Sequence, residues 1–406
     1  MKLRQGTSEE AGMSPARVKH VKELARSWVD DGTHHALVVL VARRGRIVLH
    51  EAFGTLRPEP DSPPVALDAI FPIASATKPV TAAAIMCLVE DGRVGLMRPI
   101  RDYYPEISAE GTEEVLVHHL LAHLSGWRDL DVQTAIERLL QEGGELPAPE
   151  PGQHPIHAGL PILMGALPLA SDPGEAMQYC QINYELLADL TRRVSGTPIE
   201  RFARERIFEP LGMADSSYVL PPEHKERKVR RGEGMPGSEA LGPLDQGLDS
   251  EQSEGMPSGG GGMHASARDM AVFAQMLLNG GSYDGQRVLS GASVQAMRRN
   301  QLPEGVPVRW DHLGPDGKPI TQEFGGGYGY GLFPFLHGVT SYFNGGLASP
   351  SSFSHAGFGG IYFWADPERD LVGVYFSVLR RHLEDAVTPD WRADIFVDAV
   401  TAAVED

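Results

Sequence analysis

Residues 71–92 read FPIASATKPVTAAAIMCLVEDG, and the four residues Ser75-Ala76-Thr77-Lys78 inside them decide how the rest is read. A lysine three positions after a serine at a helix entrance lies one turn on, on the same face, so its amine can reach the hydroxyl. The first turn of a helix also offers free N–H groups and positive potential, which favour an alkoxide or oxyanion. Pro79 fits that first turn, where its missing N–H costs nothing. Apolar residues at Val80, Ala83, Ala84, Cys87 and Leu88 predict a helix with one buried face. Asp91-Gly92 stops it. Alone, Ser-x-x-Lys more often means a helix cap and a surface lysine, so the rest of the chain has to decide.

Strand signals sit at the two ends. Residues 8–32 (SEEAGMSPARVKHVKELARSWVDDG) predict an amphipathic helix. In HALVVLVARRGRIVLHEAFG, two β-branched runs flank Arg43-Arg44-Gly45, a hairpin with strands about 36–42 and 46–53. Strands return only in SSFSHAGFG, GIYFWA and LVGVYFSVL, the last two joined by a turn at Asp366–Asp370, before a closing helix at 389–406. The middle is helical: 112–126, 131–144, 182–196, 198–212 and 266–281 each end at glycine. Residues 221–262 are rich in Gly, Pro, Ser and Glu and predict a long loop. The expectation is an α/β (α+β) fold with one antiparallel sheet built from both chain ends and covered by helices. Residues 1–70 and 285–406 would form the sheet domain, 71–284 a mainly helical lobe, with the ligand site in the cleft between them.

Composition narrows the function classes. The 406 residues carry 36 Lys+Arg against 54 Asp+Glu, a formal net charge of −18, which repels phosphate backbones and argues against nucleic acid. The basic stretch HKERKVRR (224–231) reads as a solvated loop. Two cysteines, Cys87 and Cys180, make no disulfide framework. No apolar run spans a bilayer and the N-terminal stretch has no apolar leader core, so the expectation is a soluble cytoplasmic protein with no membrane partner.

Two further elements raise the standing of Ser75. PGEAMQYCQINYELL places Tyr179 at the mouth of a helix, and FSHAGFGGIYFW places His355-Ala356-Gly357 on a strand beside glycines. In this order, with ASATKPVTAAAI, VHHLLAHLSGW, IFEPLGMADSSY and GGGGMHASARDMAVFAQMLLNGG between them, the chain resembles the serine β-lactamase-like superfamily nearly end to end. The likeness is to the branch of class C β-lactamases, D-Ala-D-Ala carboxypeptidases and family VIII carboxylesterases.

The resemblance implies an acyl-enzyme. Carried over by position, Ser75 is the nucleophile, Lys78 its partner and Tyr179 the general acid/base. His355-Ala356-Gly357 stands where the family has Lys-Thr-Gly, and the N–H groups of Ser75 and Phe358 form the oxyanion hole. Either a neutral Lys78 or a tyrosinate at Tyr179 could take the Ser75 proton. Two departures bear on the substrate. Gln181 stands where the family has Asn, and Ala356 lacks the Thr hydroxyl, while His355 is at most partly charged near neutrality. Gln181 is longer than the Asn that bonds a substrate amide there and would sit differently; Ala356 and His355 weaken recognition of anionic substrates and favour neutral or weakly charged acyl esters.

Trp127, Tyr328 and Tyr330 are candidates for the pocket wall, with core packing the competing reading. His119 and His123 have a metal spacing but lack a third ligand, so a helix-end role is expected, and His154 and His157 are expected to be exposed. Cys180 reads as a packed thiol. The expected activity is therefore a carboxylesterase on small-molecule esters, with no cofactor or metal, and a homo-oligomer is compatible with it. The alternatives are an acyltransferase of the same fold, a weak β-lactamase or D-amino-acid peptidase, and a catalytically silent binding protein.

Overall fold

The computed structural model describes residues 1–145, 147–150, 153–238, 247–313, 319–324, 329–332, 335–336, 345–380 and 391–405. Tyr328 and part of the 221–262 segment lie outside the described residues. The main sheet has eight strands: β1 (Arg4–Gln5), β2 (His34–Arg43), β3 (Arg46–Gly54), β4 (Gly329–Tyr330), β5 (Phe335–Leu336), β6 (Phe353–Gly357), β7 (Ile361–Asp366) and β8 (Leu371–Leu379). Their spatial order is β1-β3-β2-β8-β7-β6-β5-β4. All neighbours are antiparallel except the short edge pair β1 and β3. The sheet is thus joined at its centre, where β2 from the start of the chain pairs with β8 from its end.

Local chemistry explains the hairpins. Arg44 and Gly45 both have positive φ (50° and 71°), the turn whose twist matches that of two antiparallel strands. Asp370, with φ 49°, turns β7 into β8. Every residue of β2 is buried, because both sheet faces are covered. Ala36, Val38, Leu40 and Ala42 enter the main core. Leu37, Val39 and Val41 alternate into an outer layer with helices α1 (Pro15–Asp30) and α5 (Ala393–Thr401).

The inner face carries α4 (Ala267–Leu278), which packs on β2, β7 and β8. That helix falls in the stretch expected to belong to the helical lobe, yet its apolar face is spent on the sheet. Beyond it stand α2 (Lys78–Glu90) and α3 (Gln181–Ser195), packed on each other. The expectation of one buried face for α2 is corrected here, since Lys78 through Leu88 are all buried. A helix surrounded on all sides needs no polar face.

Two loop readings also change. The basic stretch is solvated only in part: Lys225 and Glu226 are exposed, but Lys228, Val229 and Arg231 are buried. Lys228 is wholly buried, its amine 2.9 Å from Glu254 and 3.3 Å from Asp249, because the 221–262 segment folds back with short helices at Pro222–Arg227 and Glu251–Gly255. Glu254 also receives Lys225 and Arg230. His157 is not exposed either. It begins a helix, Pro155–Ala166, and is buried against Glu185.

Among the described residues no helix is long and apolar enough to cross a membrane. In the central sheet, Trp364 of β7 lies opposite Gly373 of β8, and a Cβ on Gly373 would sit 2.0 Å from the indole. Trp364 is fully buried and has nowhere to go. Gly373→Ala is therefore expected to cost ~1–3 kcal/mol by overpacking. The check is a lower denaturation midpoint at unchanged denaturant slope.

Candidate active site

Ser75 lies in a single 3-10 turn, Ala74–Thr77, that runs straight into α2, with Lys78 the first residue of the helix. Ala74, just before it, has φ 46°, a left-handed conformation that a β-carbon disfavours. The neighbouring chain holds the turn in place. Ile73 N–H donates to Met263 O (2.9 Å) and Met263 N–H to Thr77 Oγ1 (3.0 Å). Ser75 is half-buried, whereas Lys78 is 0% exposed.

The Lys78 amine has three polar neighbours: Ser75 Oγ at 3.1 Å, Gln181 Oε1 at 2.5 Å and Gly260 O at 2.8 Å. Burial pushes its pKa down to about 7, against the opposing pull of Asp129 and Glu185. The amine also stands 4.8 Å from the centre of the Tyr179 ring. Burial raises the Tyr179 phenol above its ordinary value, and the nearby Ser75 hydroxyl moderates the rise. The phenol oxygen is buried and makes no hydrogen bond of good geometry. Its ring is stacked on Trp310 (4.2 Å, 5° between planes) and faces His123 at 4.4 Å.

The strand end closes the other side. A Cβ on Gly357 would meet Ile73 O at 2.2 Å, so only glycine lets β6 lie directly against the segment leading to Ser75. Phe358, the next residue, is 38% exposed. His355 is buried, with Nδ1 2.7 Å from Ala356 O. Burial, reinforced by the charge of Lys78, holds its pKa at about 3, so its ring is neutral at pH 7.

The remaining pocket candidates stand elsewhere. Strand alternation turns Ala356 to the outer layer, away from His355, so its missing hydroxyl does not face the cleft. Trp127 and Tyr330 are each 1% exposed and present no surface to a substrate. Trp127 belongs to the main core. Tyr330 sits behind Tyr179 and His123 in an aromatic layer.

Several site residues escape a reading of the sequence. Asp129, half-buried, accepts from the N–H groups of Gln181 (2.7 Å) and Ile182 (3.0 Å) and so caps α3; Cys180 Sγ donates to it at 3.3 Å. His123, with φ 57°, takes the Cys180 N–H on Nδ1 at 3.1 Å, and burial pushes its pKa well below the ordinary value. Trp310 lies on a strand, Val308–Leu313, whose chain runs beside Met177–Gln178. Arg231 is buried beneath the turn after β6, its Nη2 2.9 Å from where a Gly359 Cβ would be. Among the described residues no group of His, Cys, Asp and Glu could hold a metal ion.

A family model described as Beta-lactamase matches residues 21–396. Protein Rv1367c of Mycobacterium tuberculosis is 30% identical over 369 residues, covering 86% of this chain and 87% of its own. Esterase EstB of Burkholderia gladioli is 29% identical over 332 residues, covering 73% and 81%. The crystal structure of a penicillin-binding protein homologue from Caulobacter crescentus superposes with a TM-score of 0.73 at 22% identity, over 97% of this chain and 99% of that one.

Removing the Asp129 carboxylate strips the first two N–H groups of α3 of their acceptor in a dry setting. Asp129→Ala is expected to lower stability by ~2 kcal/mol. Asp129→Asn, which keeps an acceptor oxygen, should lose less. Urea denaturation of the two variants against the parent measures this.

Proposed function

This chain belongs to the beta-lactamase family of serine hydrolases, and from that premise we propose that it hydrolyses neutral carboxylic esters through an acyl-enzyme on Ser75. The observation that carries the proposal is the set of three contacts made by the Lys78 amine. Gln181 Oε1 and Gly260 O are carbonyl oxygens and can only accept. A neutral amine has two hydrogens, and these two oxygens use both. The third direction, toward Ser75 Oγ, is then the nitrogen lone pair, aimed at the one proton it has to remove. The lowered pKa of Lys78 keeps this neutral form available near pH 7.

The raised pKa of Tyr179 argues against a tyrosinate and leaves Lys78 as the base. Lys78 takes the proton while Ser75 Oγ bonds to the ester carbonyl carbon. The N–H groups of Ser75 and Phe358 receive the oxyanion. The alcohol leaves with the proton, passed through Lys78 and Tyr179. Water, deprotonated by the same pair, then breaks the Ser75 ester and releases the acid.

The substrate class follows from charge. His355, which stands where the resemblance implies the lysine of Lys-Thr-Gly, is neutral, and Ala356 faces away. A penicillin or peptide carboxylate gains nothing there, so esters without an anionic group are favoured. The name of EstB, an esterase, agrees with this reading.

Ser75→Ala is expected to lower p-nitrophenyl ester hydrolysis by about 10³-fold or more while the protein stays folded. Retained turnover would overturn the proposal. For the parent protein, kcat/KM should rise with pH through a midpoint near the Lys78 value of about 7, because only the deprotonated amine is a base. Below it each pH unit should cost about tenfold. A flat profile between pH 5 and about 8 would remove Lys78 from the role.

A further inference from the structure

Beneath the Lys78 contacts lies a second buried carboxylate. Glu185 is 2% exposed, one turn along α3 from Gln181. Its Oε2 accepts from His157 Nε2 (3.2 Å) and the Gly259 N–H (3.0 Å). Its Oε1 accepts from Ser258 Oγ (2.5 Å), the Gly260 N–H (3.2 Å) and Gln181 Nε2 (3.3 Å). Burial alone would raise its pKa, but the bonds from His157, Ser258 and Gly260 outweigh burial and hold it below the ordinary carboxylate value.

The two groups that orient the Lys78 amine are therefore both tied to Glu185. Gln181 could point either end of its amide at Lys78. A carboxylate accepts and never donates, so it holds the NH₂ end and leaves the carbonyl end for the amine. Gly260 is fixed in the same way: its N–H bonds Glu185, and its carbonyl accepts from Lys78. The glycines complete the arrangement. A Cβ on Gly259 would meet Tyr184 O at 2.1 Å, and one on Gly260 would meet the Gln181 amide nitrogen at 2.2 Å. Gly259 and Gly260 lie directly against α3 because a Cβ on either would clash with it.

The geometry points to Glu185 as a positioning residue for Lys78, setting its lone pair on Ser75 through Gln181 and Gly260. This rests on Lys78 acting as the base of Ser75. Glu185 does not touch the substrate. Its charge, at one remove, also favours the protonated amine, so Glu185 sets both where the lone pair points and at what pH it is free.

Other groups near Lys78 are Asp129 on the helix Asp129–Gln141, Tyr179 and Cys180 before α3, His123 on the preceding lobe and His355 on β6. Those facing Glu185 are His157 and His154 beside the helix Pro155–Ala166, with Tyr218 from a separate segment. Asp129 also raises the Lys78 pKa and holds the backbone N–H of Gln181, but it bonds neither the Gln181 side-chain amide nor Gly260. Glu185 alone among these carboxylates joins charge to orientation.

The test is direct titration of Lys78, by NMR of protein labelled at lysine Cε and assigned with Lys78→Arg, in the parent, Glu185→Gln and Glu185→Asp. Loss of the charge in Glu185→Gln is expected to lower the Lys78 midpoint by about half a unit or more. Misorientation of the amine is expected to lower the kcat/KM plateau about tenfold, with its acid limb following the titration. Glu185→Asp keeps the charge and should keep the midpoint. A folded Glu185→Gln with an unmoved midpoint overturns the inference. Should that variant not fold, His157→Gln/Glu185→Gln removes both members of the pair together and is read in the same way. Absence of ester hydrolysis in the parent would sink the esterase reading, while the titration would still decide the role of the charge.

Discussion

The structure turns on keeping one amine dry. Moving the Lys78 pKa from 10.5 to about 7 represents roughly 5 kcal/mol against its charged form. That requires apolar walls and a small, fixed set of polar partners. α2 supplies the walls by being buried along its length, packed on α3 and on the short helix Ile199–Ala203. The polar partners come from places far apart in the chain: the turn at Ser75, the start of α3 and the glycine run before α4. If any of the three withdrew, water would reach the amine and restore its ordinary basicity. The nearby carboxylates Asp129 and Glu185 do not undo this, because backbone N–H groups and neutral donors already occupy them.

A consequence for recognition follows. The chain carries a formal charge of −18, yet the proposed site holds a neutral imidazole and a near-neutral amine. An amine that is uncharged to act as the base, the role proposed for Lys78, cannot also serve as a cationic anchor. His355 does not supply the missing charge, since burial, reinforced by Lys78, keeps that ring unprotonated. Arg231 is near, but it lies under the turn after β6 and its Nε is committed to Pro236 O. The family relationship thus covers the nucleophilic end of the site better than the end that would hold a substrate carboxylate.

Much of this was legible in the sequence, and the gaps have physical causes. The hairpin 34–54 and strands 353–357, 361–366 and 371–379 announce themselves through β-branched runs and local turns. Ser75 and Lys78 are visible because one helical turn relates them. Asp129 and Glu185 are invisible because an acidic residue on a helix usually faces water; only the packing of three segments shows these two facing inward. The strands at 308–313 and 319–324 are short and polar, so Trp310 reads as a loop residue until Tyr179 is seen stacked on it. The stretch 224–231 was misread for a related reason. A run of cations carries no sign that its counter-charges, Asp249 and Glu254, return from some twenty residues onward. Ala356 shows the limit of carrying a motif over by position, because strand alternation and not sequence alignment decides which way a side chain points.

The pairing of β2 with β8 has a bearing on how the chain comes to be folded. β2 is made early and buries every one of its side chains, yet one of its edges bonds to a strand close to the other end of the sequence. During synthesis that apolar ribbon has only β3 to lean on, and its other edge stays open until β8 has been made. Contacts so distant along the chain must overcome their loop-closure entropy before they contribute, which slows folding. An open, apolar edge of that length is a template for pairing with other chains. The turn at Ser75 likewise meets its neighbour β6 only after the same long stretch of chain has been made.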